Sequence, residues 1–175
     1  MTALARLYAE IALLRRGPQD VPASRLLLVL TVAAYFGVNA ILYWALPTPN
    51  DPWLVVVAID VLFTLVWYTA LLNLLHRRER VLQTTTAVFG YRAVLAPLTI
   101  GVEWLVARFG TVAAYQLPLV IGYTVVVVWM VAANSHILKA AIEWTTFQCV
   151  ALVILEIVIG GLLVLSLVPL ARGMV

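Results

Sequence analysis

The chain has 175 residues, of which 65% are hydrophobic and 11% are charged, and it carries a formal net charge of +3. A soluble globular domain carries about 25% charged residues, so this composition excludes a water-soluble protein of this size. The excess apolar surface must face lipid, and the length allows one helical bundle without a second domain. The basic residues lie in short connectors, which is typical of membrane topology and not of a nucleic-acid-binding surface.

Residues 1–24 are predicted to form a cytoplasmic amphipathic helix followed by a turn. Over residues 2–16, apolar side chains recur at helical spacing and charged side chains fall on other faces. This pattern suits an interfacial helix that lies on the membrane surface. Gly17 and Pro18 are expected to end the helix. Ser24 is expected to cap the next one, since its hydroxyl can accept a hydrogen bond from a backbone N–H of the first turn.

Five apolar segments in residues 25–175 are long enough to cross a bilayer, which needs about 20 residues each. They cover about residues 25–46, 53–75, 83–105, 115–137 and 143–170. Pro97 and Pro118 interrupt the third and fourth segments, where proline is expected to kink a membrane helix without ending it. The apolar runs lack the alternation typical of a β-barrel. The predicted fold is therefore all-α, a polytopic bundle of five transmembrane helices preceded by the N-terminal interfacial helix.

The orientation of the bundle follows from its connectors. With five spans, eight basic residues fall on one side of the membrane, and only Arg108 and Arg172 fall on the other. The positive-inside rule then predicts a cytoplasmic N-terminus and an external C-terminus. Tyr and Trp favour both membrane interfaces, and the aromatic residues near the predicted outer boundary are Tyr43, Trp44, Trp53, Trp104 and Tyr115.

Three ionisable residues lie well inside the predicted spans, namely Asp60, Arg92 and Glu156. A rise of about 1.5 Å per residue places them in one layer with Asn39. One interpretation is a functional polar centre, such as a proton relay or a site for a polar lipid headgroup. The other is a structural network in which Arg92 neutralises both carboxylates, since charges inside a membrane usually pair. Both interpretations predict that Arg92 contacts at least one carboxylate.

The remaining polar residues give weaker signals. His76 and His136 lack a nearby cluster of cysteines or carboxylates, which makes a metal site a poor interpretation. The chain contains no Gly-rich phosphate loop, nucleophile elbow or zinc-protease motif, so we expect no metal, no cofactor and no enzymatic activity. Basic residues beside the spans are expected to contact anionic lipid headgroups on the cytoplasmic side, and these are Arg15, Arg16, Arg77, Arg78 and Arg80.

The third and fifth spans carry short motifs, which are Phe89-Gly90-Tyr91, Ala96-Pro97-Leu98, Leu152-Val153-Ile154-Leu155-Glu156 and Gly160-Gly161. These motifs resemble those of Yip1-domain membrane proteins, most closely the bacterial inner-membrane members. A polar turn from His136 to Thr146 joins the last two spans, as in that family. The likeness covers about residues 25–170, and Arg92 departs from the family pattern.

The resemblance implies a non-enzymatic protein of the bacterial plasma (inner) membrane that acts in membrane organisation or as a component of a membrane complex. Expected partners are membrane lipids, together with other membrane proteins or further copies of the chain. The alternative is a small transporter or proton-conducting protein that uses Asp60, Arg92 and Glu156. Five spans are few to enclose a pathway, so this alternative favours an oligomer. A membrane-embedded enzyme acting on lipids is a third interpretation.

Overall fold

The computed structural model describes residues 2–46 and 52–172, with side chains for residues 3–46 and 52–168. The predicted connector around 47–51, the side chain of Arg172 and residues 173–175 lie outside the described part. Within that part the chain forms two 3₁₀ turns, at Pro18–Asp20 and Arg78–Arg80, and no strand. Its six α-helices are α1 Thr2–Ala12, α2 Arg25–Ala45, α3 Trp53–Leu74, α4 Val81–Phe109, α5 Ala113–Ile142 and α6 Thr146–Arg172.

The all-α prediction is confirmed, and the five helices α2 to α6 are long and apolar enough to cross a membrane. At the start of α2, the Ser24 hydroxyl accepts a hydrogen bond from the Leu27 backbone N–H at 3.4 Å, as predicted. Helices α4 and α5 extend beyond the predicted ranges 83–105 and 115–137. Both run through their prolines, Pro97 and Pro118, because neighbouring helices can compensate for the lost backbone hydrogen bond.

The connection between α5 and α6 differs from the predicted one. The sequence predicts a polar turn from His136 to Thr146, but α5 continues to Ile142 and α6 begins at Thr146. The expected turn is therefore wrong over most of its length. The polar residues directly before the predicted turn, Asn134 and Ser135, are buried within α5.

Glu143 ends α5 in a left-handed backbone conformation, with φ of 61°. The guanidinium of Arg80 donates hydrogen bonds to the carbonyls of Ala140 and Ala141, at 2.7 and 3.1 Å. These carbonyls belong to the last turn of α5, which has no further helical N–H to bind. Arg80 thus ties the start of α4 to the end of α5.

Helix α1 packs against other helices of the bundle, and its predicted place at the membrane surface stays a prediction. It contacts α4 and α5, and the Tyr8 hydroxyl shares a hydrogen bond with the Thr31 hydroxyl at 2.9 Å. The indole N–H of Trp129 donates to the Ala12 carbonyl at 2.9 Å. The helix ends at Ala12, short of the predicted residue 16, since Leu14 adopts a left-handed conformation with φ of 61°.

The two ends of the bundle differ in composition. We call one the aromatic end, where the rings of Tyr43 and Trp53 lie 5.2 Å apart and those of Phe109 and Tyr115 lie 5.9 Å apart. We call the other the basic end, since it carries Arg15, Arg16, Arg77, Arg78, Arg80 and Lys139.

Helix α4 is central, because it contacts α1, α2, α3 and α5. Every side chain from Thr84 to Tyr91 is buried. The hydrophobic core surrounds this segment, with Tyr8 and Ile11 of α1 and Leu72 of α3 among its buried members. The half of the bundle next to the basic end therefore holds the hydrophobic core, and a cavity of about 430 Å³ lies beside it, lined by Arg80 and Gln83 among others.

Candidate functional site

Arg92 lies at the centre of a cluster of polar side chains inside the bundle. Its Nη1 atom lies 3.2 Å from Asp60 Oδ1 on α3, and its Nη2 atom lies 2.9 Å from Glu156 Oε1 on α6. Nη1 also donates a hydrogen bond to the Thr64 hydroxyl at 2.9 Å. Arg92 thus contacts both carboxylates, and a single side chain of α4 joins α3 and α6.

Two tyrosines complete this cluster. The Tyr68 hydroxyl donates to Glu156 Oε2 at 2.9 Å, and the Tyr35 hydroxyl donates to Asp60 Oδ2 at 2.9 Å. Each carboxylate therefore accepts from a phenol as well as from the guanidinium. We call this set the polar cluster, and its members are Tyr35, Asp60, Thr64, Tyr68, Arg92 and Glu156.

Sequence reasoning missed both tyrosines, although a signal existed for one of them. Asp60, Thr64 and Tyr68 are spaced four residues apart on α3, which places them on one helical face. Nothing comparable identifies Tyr35, because its contact with Asp60 depends on how α2 and α3 are rotated against each other.

The polar cluster lies deep in the bundle. At about 1.5 Å of rise per residue, Arg92 is roughly 16 Å from the start of α4 and Glu156 roughly 15 Å from the start of α6. Asp60 is roughly 10 Å from the start of α3 by the same measure. Because α6 starts at Thr146 and not at residue 143, Glu156 lies closer to the first residue of its helix than the sequence suggests.

Asn39 is near the polar cluster but is not bonded into its ion pairs. Its side-chain amide donates to the backbone carbonyl of Tyr35 at 2.8 Å, within α2. Asn39 is buried and contributes to the wall of a cavity that Asp60, Arg92 and Glu156 also line.

This inner cavity has a volume of about 350 Å³ and lies among α2, α3, α4 and α6, with Met130 of α5 also lining it. An outer cavity of about 340 Å³ continues towards the aromatic end, where Leu46, Trp53 and Ala107 line it. The two cavities share Asn39, Val56, Val57, Ile100 and Glu103 as lining residues. Together they form a vestibule that runs from the aromatic end to the polar cluster.

The three charged members of the polar cluster differ in their exposure. The side chains of Glu156 and Arg92 are 3% and 11% exposed, whereas that of Asp60 is 35% exposed. Of the two carboxylates in the polar cluster, Asp60 is therefore the more exposed, and it lines the inner cavity. An exposed ionised group at this depth is costly in hydrocarbon and normally faces a water-filled cavity or a polar partner.

The basic residues expected to contact lipid headgroups divide into two groups. Arg77 and Arg80 pair with Glu143 at 3.0 and 2.8 Å, and Arg16 pairs with Glu10 at 2.7 Å. The hydrogen bond from Arg80 and the charges of both arginines hold the pKa of Glu143 below its ordinary value. The contact of these five arginines with lipid stays a prediction. Arg15, Arg16 and Arg78 are exposed, whereas Arg77 and Arg80 are half-buried.

The fold and these charged groups define an integral membrane protein of the polytopic helical class, with a charged cluster inside its bundle. In comparisons with protein-family models, curated proteins and solved structures, the chain matches none of them. The resemblance to Yip1-domain proteins therefore stays a prediction. Within the described residues, no group of three His, Cys, Asp or Glu side chains is placed to hold a metal ion.

Proposed function

We propose that this membrane protein binds a small polar solute in the vestibule, as transporters do, with the polar cluster as the floor of the site. The observation that carries the proposal is the 35% exposure of Asp60 to a cavity in the interior of the bundle. A cluster that served only to join helices would gain nothing from an open space beside its carboxylate. A solute site needs such a space and a few converging polar groups.

The asymmetry of the bundle supports a site that is accessible from one end. The vestibule reaches the ends of the helices at the aromatic end. Towards the basic end, the buried segment of α4 from Thr84 to Tyr91 packs against the docked helix α1. A separate cavity of about 430 Å³ lies beside Arg80 and Gln83 and shares no described lining residue with the vestibule. This arrangement matches one state of a carrier, in which the floor of the site separates an open half from a closed half. Transport would require the packed half to open.

Cysteine labelling in proteoliposomes tests whether the vestibule holds water. Cys149 is the only native cysteine and is buried, so a Cys149→Ala background contains no thiol other than the one that is introduced. Ile100→Cys places a thiol in the vestibule. Leu98→Cys is the matched control on the same helix, since Leu98 is half exposed and lines neither cavity. The reagent is 2-hydroxyethyl methanethiosulfonate, which is neutral and hydrophilic.

We expect Ile100→Cys to react at least tenfold faster than Leu98→Cys, because a thiol reacts as its thiolate and hydrocarbon suppresses ionisation. Adding Asp60→Asn should keep Ile100→Cys reactive, since the amide also holds water. Equal and slow labelling at both positions would show a dry cavity and contradict the proposed solute site.

The second candidate function is the one implied by the Yip1 resemblance, a non-enzymatic role in membrane organisation or within a membrane complex. This function is favoured by the contacts within the polar cluster, because each carboxylate binds a guanidinium and a phenol of the same chain. Charged groups that are paired within the chain in this way are typical of a structural cluster. Detergent-free extraction in polymer-bounded lipid discs tests it, since a stoichiometric partner supports this function and repeated isolation as a lone monomer counts against it.

A further inference from the structure

The polar cluster contains one more carboxylate than it has cations. With Asp60 and Glu156 both ionised, the single guanidinium of Arg92 leaves the cluster with a formal charge of −1. Uptake of one proton makes the cluster neutral and leaves the pair of Arg92 and Asp60 intact. Glu156 is the more deeply buried carboxylate, and an ionised group costs more where less water reaches it. Glu156 is therefore the residue that takes up the proton.

Among the described residues, the titratable groups near Glu156 belong to α3 and α4. Arg92 of α4 donates to its Oε1 atom and Tyr68 of α3 donates to its Oε2 atom, each at 2.9 Å. Asp60 of α3 and Tyr91 of α4 are close enough to interact with it electrostatically. Glu156 also lines the inner cavity, which places it at the boundary of the vestibule.

A second set of buried polar groups extends from the polar cluster towards the basic end. Thr84, Tyr91 and Ser135 carry buried hydroxyls, and Asn134 carries a buried side-chain carbonyl. None of these four oxygen atoms has a hydrogen-bond partner among the described residues. Buried polar atoms are normally hydrogen-bonded to protein or to internal water. The four groups are therefore suited to hold internal water.

These groups lie at successive levels of the helices α4 and α5, which pack against each other. Arg80 at the start of α4 binds two carbonyls in the last turn of α5, so both helices can be measured from that level. At about 1.5 Å of rise per residue, the distances from it are roughly 6 Å for Thr84, 9 Å for Ser135, 10 Å for Asn134 and 16 Å for Tyr91. One or two water molecules, at about 2.8 Å per hydrogen bond, cover each step along the axis.

The set reaches from the vestibule to the cavity of about 430 Å³ at the basic end, which Thr84 lines. We propose that protons move between these two spaces through Glu156 and through internal water held by Tyr91, Asn134, Ser135 and Thr84. We call this route the proton path. The inference rests on the proposed solute-binding function, because the vestibule must hold water to deliver the proton.

Each step along the proton path transfers one proton and no electron. The Glu156 carboxylate accepts a proton from water in the vestibule, and the resulting carboxylic acid releases a proton to the water beside Tyr91. Each hydroxyl accepts a proton from one neighbouring water while it donates its own to the next. The Asn134 carbonyl only holds a water molecule in place.

Proton uptake by proteoliposomes tests the proposal. The vesicles consist of phosphatidylcholine and phosphatidylglycerol and contain potassium and the pH-sensitive dye pyranine. Valinomycin then sets an inside-negative potential that draws protons in. We expect vesicles with the native chain to acidify at least threefold faster than protein-free vesicles. Glu156→Gln should lower the protein-dependent rate at least tenfold, because an amide takes up no proton at neutral pH.

Hydroxyl variants test the route itself. Ser135→Ala and Thr84→Val should each slow proton uptake at least threefold, since each removes one hydroxyl at little change in side-chain size. Ser166→Ala and Thr124→Val are the matched controls, because both hydroxyls are exposed and bind a carbonyl of their own helix. Helix content and monodisperse elution show which variants fold. If Glu156→Gln does not fold, the four hydroxyl variants decide the result.

The outcomes separate this inference from the function on which it rests. Uptake by the native chain at the protein-free rate, or equal effects of Ser135→Ala and Ser166→Ala, would overturn the proton path. No uptake together with fast labelling of Ile100→Cys would overturn the proton path and leave the solute vestibule standing. No uptake together with slow labelling would overturn both.

Discussion

At the scale of single residues, burial separates two kinds of ion pair in this protein. Arg92 and Glu156 are almost fully buried, and each has a partner that water cannot replace. Arg6 and Glu10 form an i, i+4 pair in which the Arg6 side chain is 82% exposed. Breaking a buried pair leaves an uncompensated charge, whereas an exposed pair exchanges its partner for water at little cost.

We therefore predict that Arg92→Ala destabilises the protein by roughly 3–5 kcal/mol, as expected when one partner of a buried pair is removed. Arg6→Ala is the control and should change stability by less than about 0.5 kcal/mol. The Arg92→Ala/Glu156→Ala double variant should recover part of the loss, since no buried charge remains without its partner at that position. Unfolding in mixed micelles measures all three. Strictly additive losses in the double variant would contradict a direct coupling between the two residues.

Glu143 gives a prediction about pH at the basic end. Arg80 and Arg77 lower its pKa in the folded protein, so the folded state binds a proton there less readily than the unfolded state does. The stabilisation is present above the ordinary carboxyl pKa of 4.5 and is lost as the pH falls through the lowered value. Glu143→Gln should reduce stability near neutral pH and have little effect in strong acid.

Melting temperatures of the native chain and Glu143→Gln, recorded from pH 7 down to pH 3, measure this difference. Glu79→Gln is the control, since Glu79 is an exposed acid in the Arg78–Arg80 turn at the same end of the bundle. A constant gap between the native chain and Glu143→Gln over the whole range would contradict the proposed role of the ion pairs.

At the scale of helices, the docking of α1 depends on one glycine of α4. Gly90 is buried, and the ring of Tyr8 occupies the space that a β-carbon at position 90 would need. The absence of a side chain therefore lets α1 approach the backbone of α4 closely, as small residues do between membrane helices. Gly101 of the same helix has no atom near the position of a β-carbon.

We predict that Gly90→Ala destabilises the docked position of α1 by about 1–3 kcal/mol, the usual cost of overfilling a packed site. Gly101→Ala should be neutral. Hydrogen exchange over residues 2–12 in nanodiscs measures the effect, and adding Tyr8→Ala to Gly90→Ala should relieve the overlap. If Gly90→Ala leaves α1 as protected as the native chain, the close contact is not what holds α1 in place.

At the scale of the whole molecule, five helices that could span a membrane make the two ends of the bundle face opposite sides. The basic residues gather at one end, so the positive-inside rule predicts that this end is cytoplasmic. The vestibule would then be accessible from outside the cell. The packed half and α1 would face the cytoplasm.

Labelling with an impermeant maleimide in intact cells of a bacterial host tests this orientation. In the Cys149→Ala background, Val112→Cys at the aromatic end should react in intact cells. Arg78→Cys at the basic end should react only after permeabilisation. Both positions are exposed and lie in connectors between spans. The reverse pattern would invert the topology, and labelling of both from one side would contradict the number of spans.

The sequence by itself determined the class of fold and the elements. Hydropathy and segment length are local properties. The predicted limits of the first two spans therefore agree with α2 and α3 to within a residue, and the predicted cap at Ser24 is correct. The cost of a charge in hydrocarbon also singled out Asp60, Arg92 and Glu156 without any structure. The limits of α4 and α5 were less accurate, because proline and polar residues within a membrane helix do not end it when neighbouring helices bind them.

Only the tertiary structure decided how these elements meet. The contact of Tyr35 with Asp60, the pairing of Arg77 and Arg80 with Glu143, and the position of Tyr8 against Gly90 all join residues far apart in the chain. The vestibule is likewise a space between helices and belongs to no single segment. Lipid solvates every apolar helical face equally well, so composition does not fix the rotation of each helix. Packing and the few polar contacts fix it, and these exist only once the bundle is assembled.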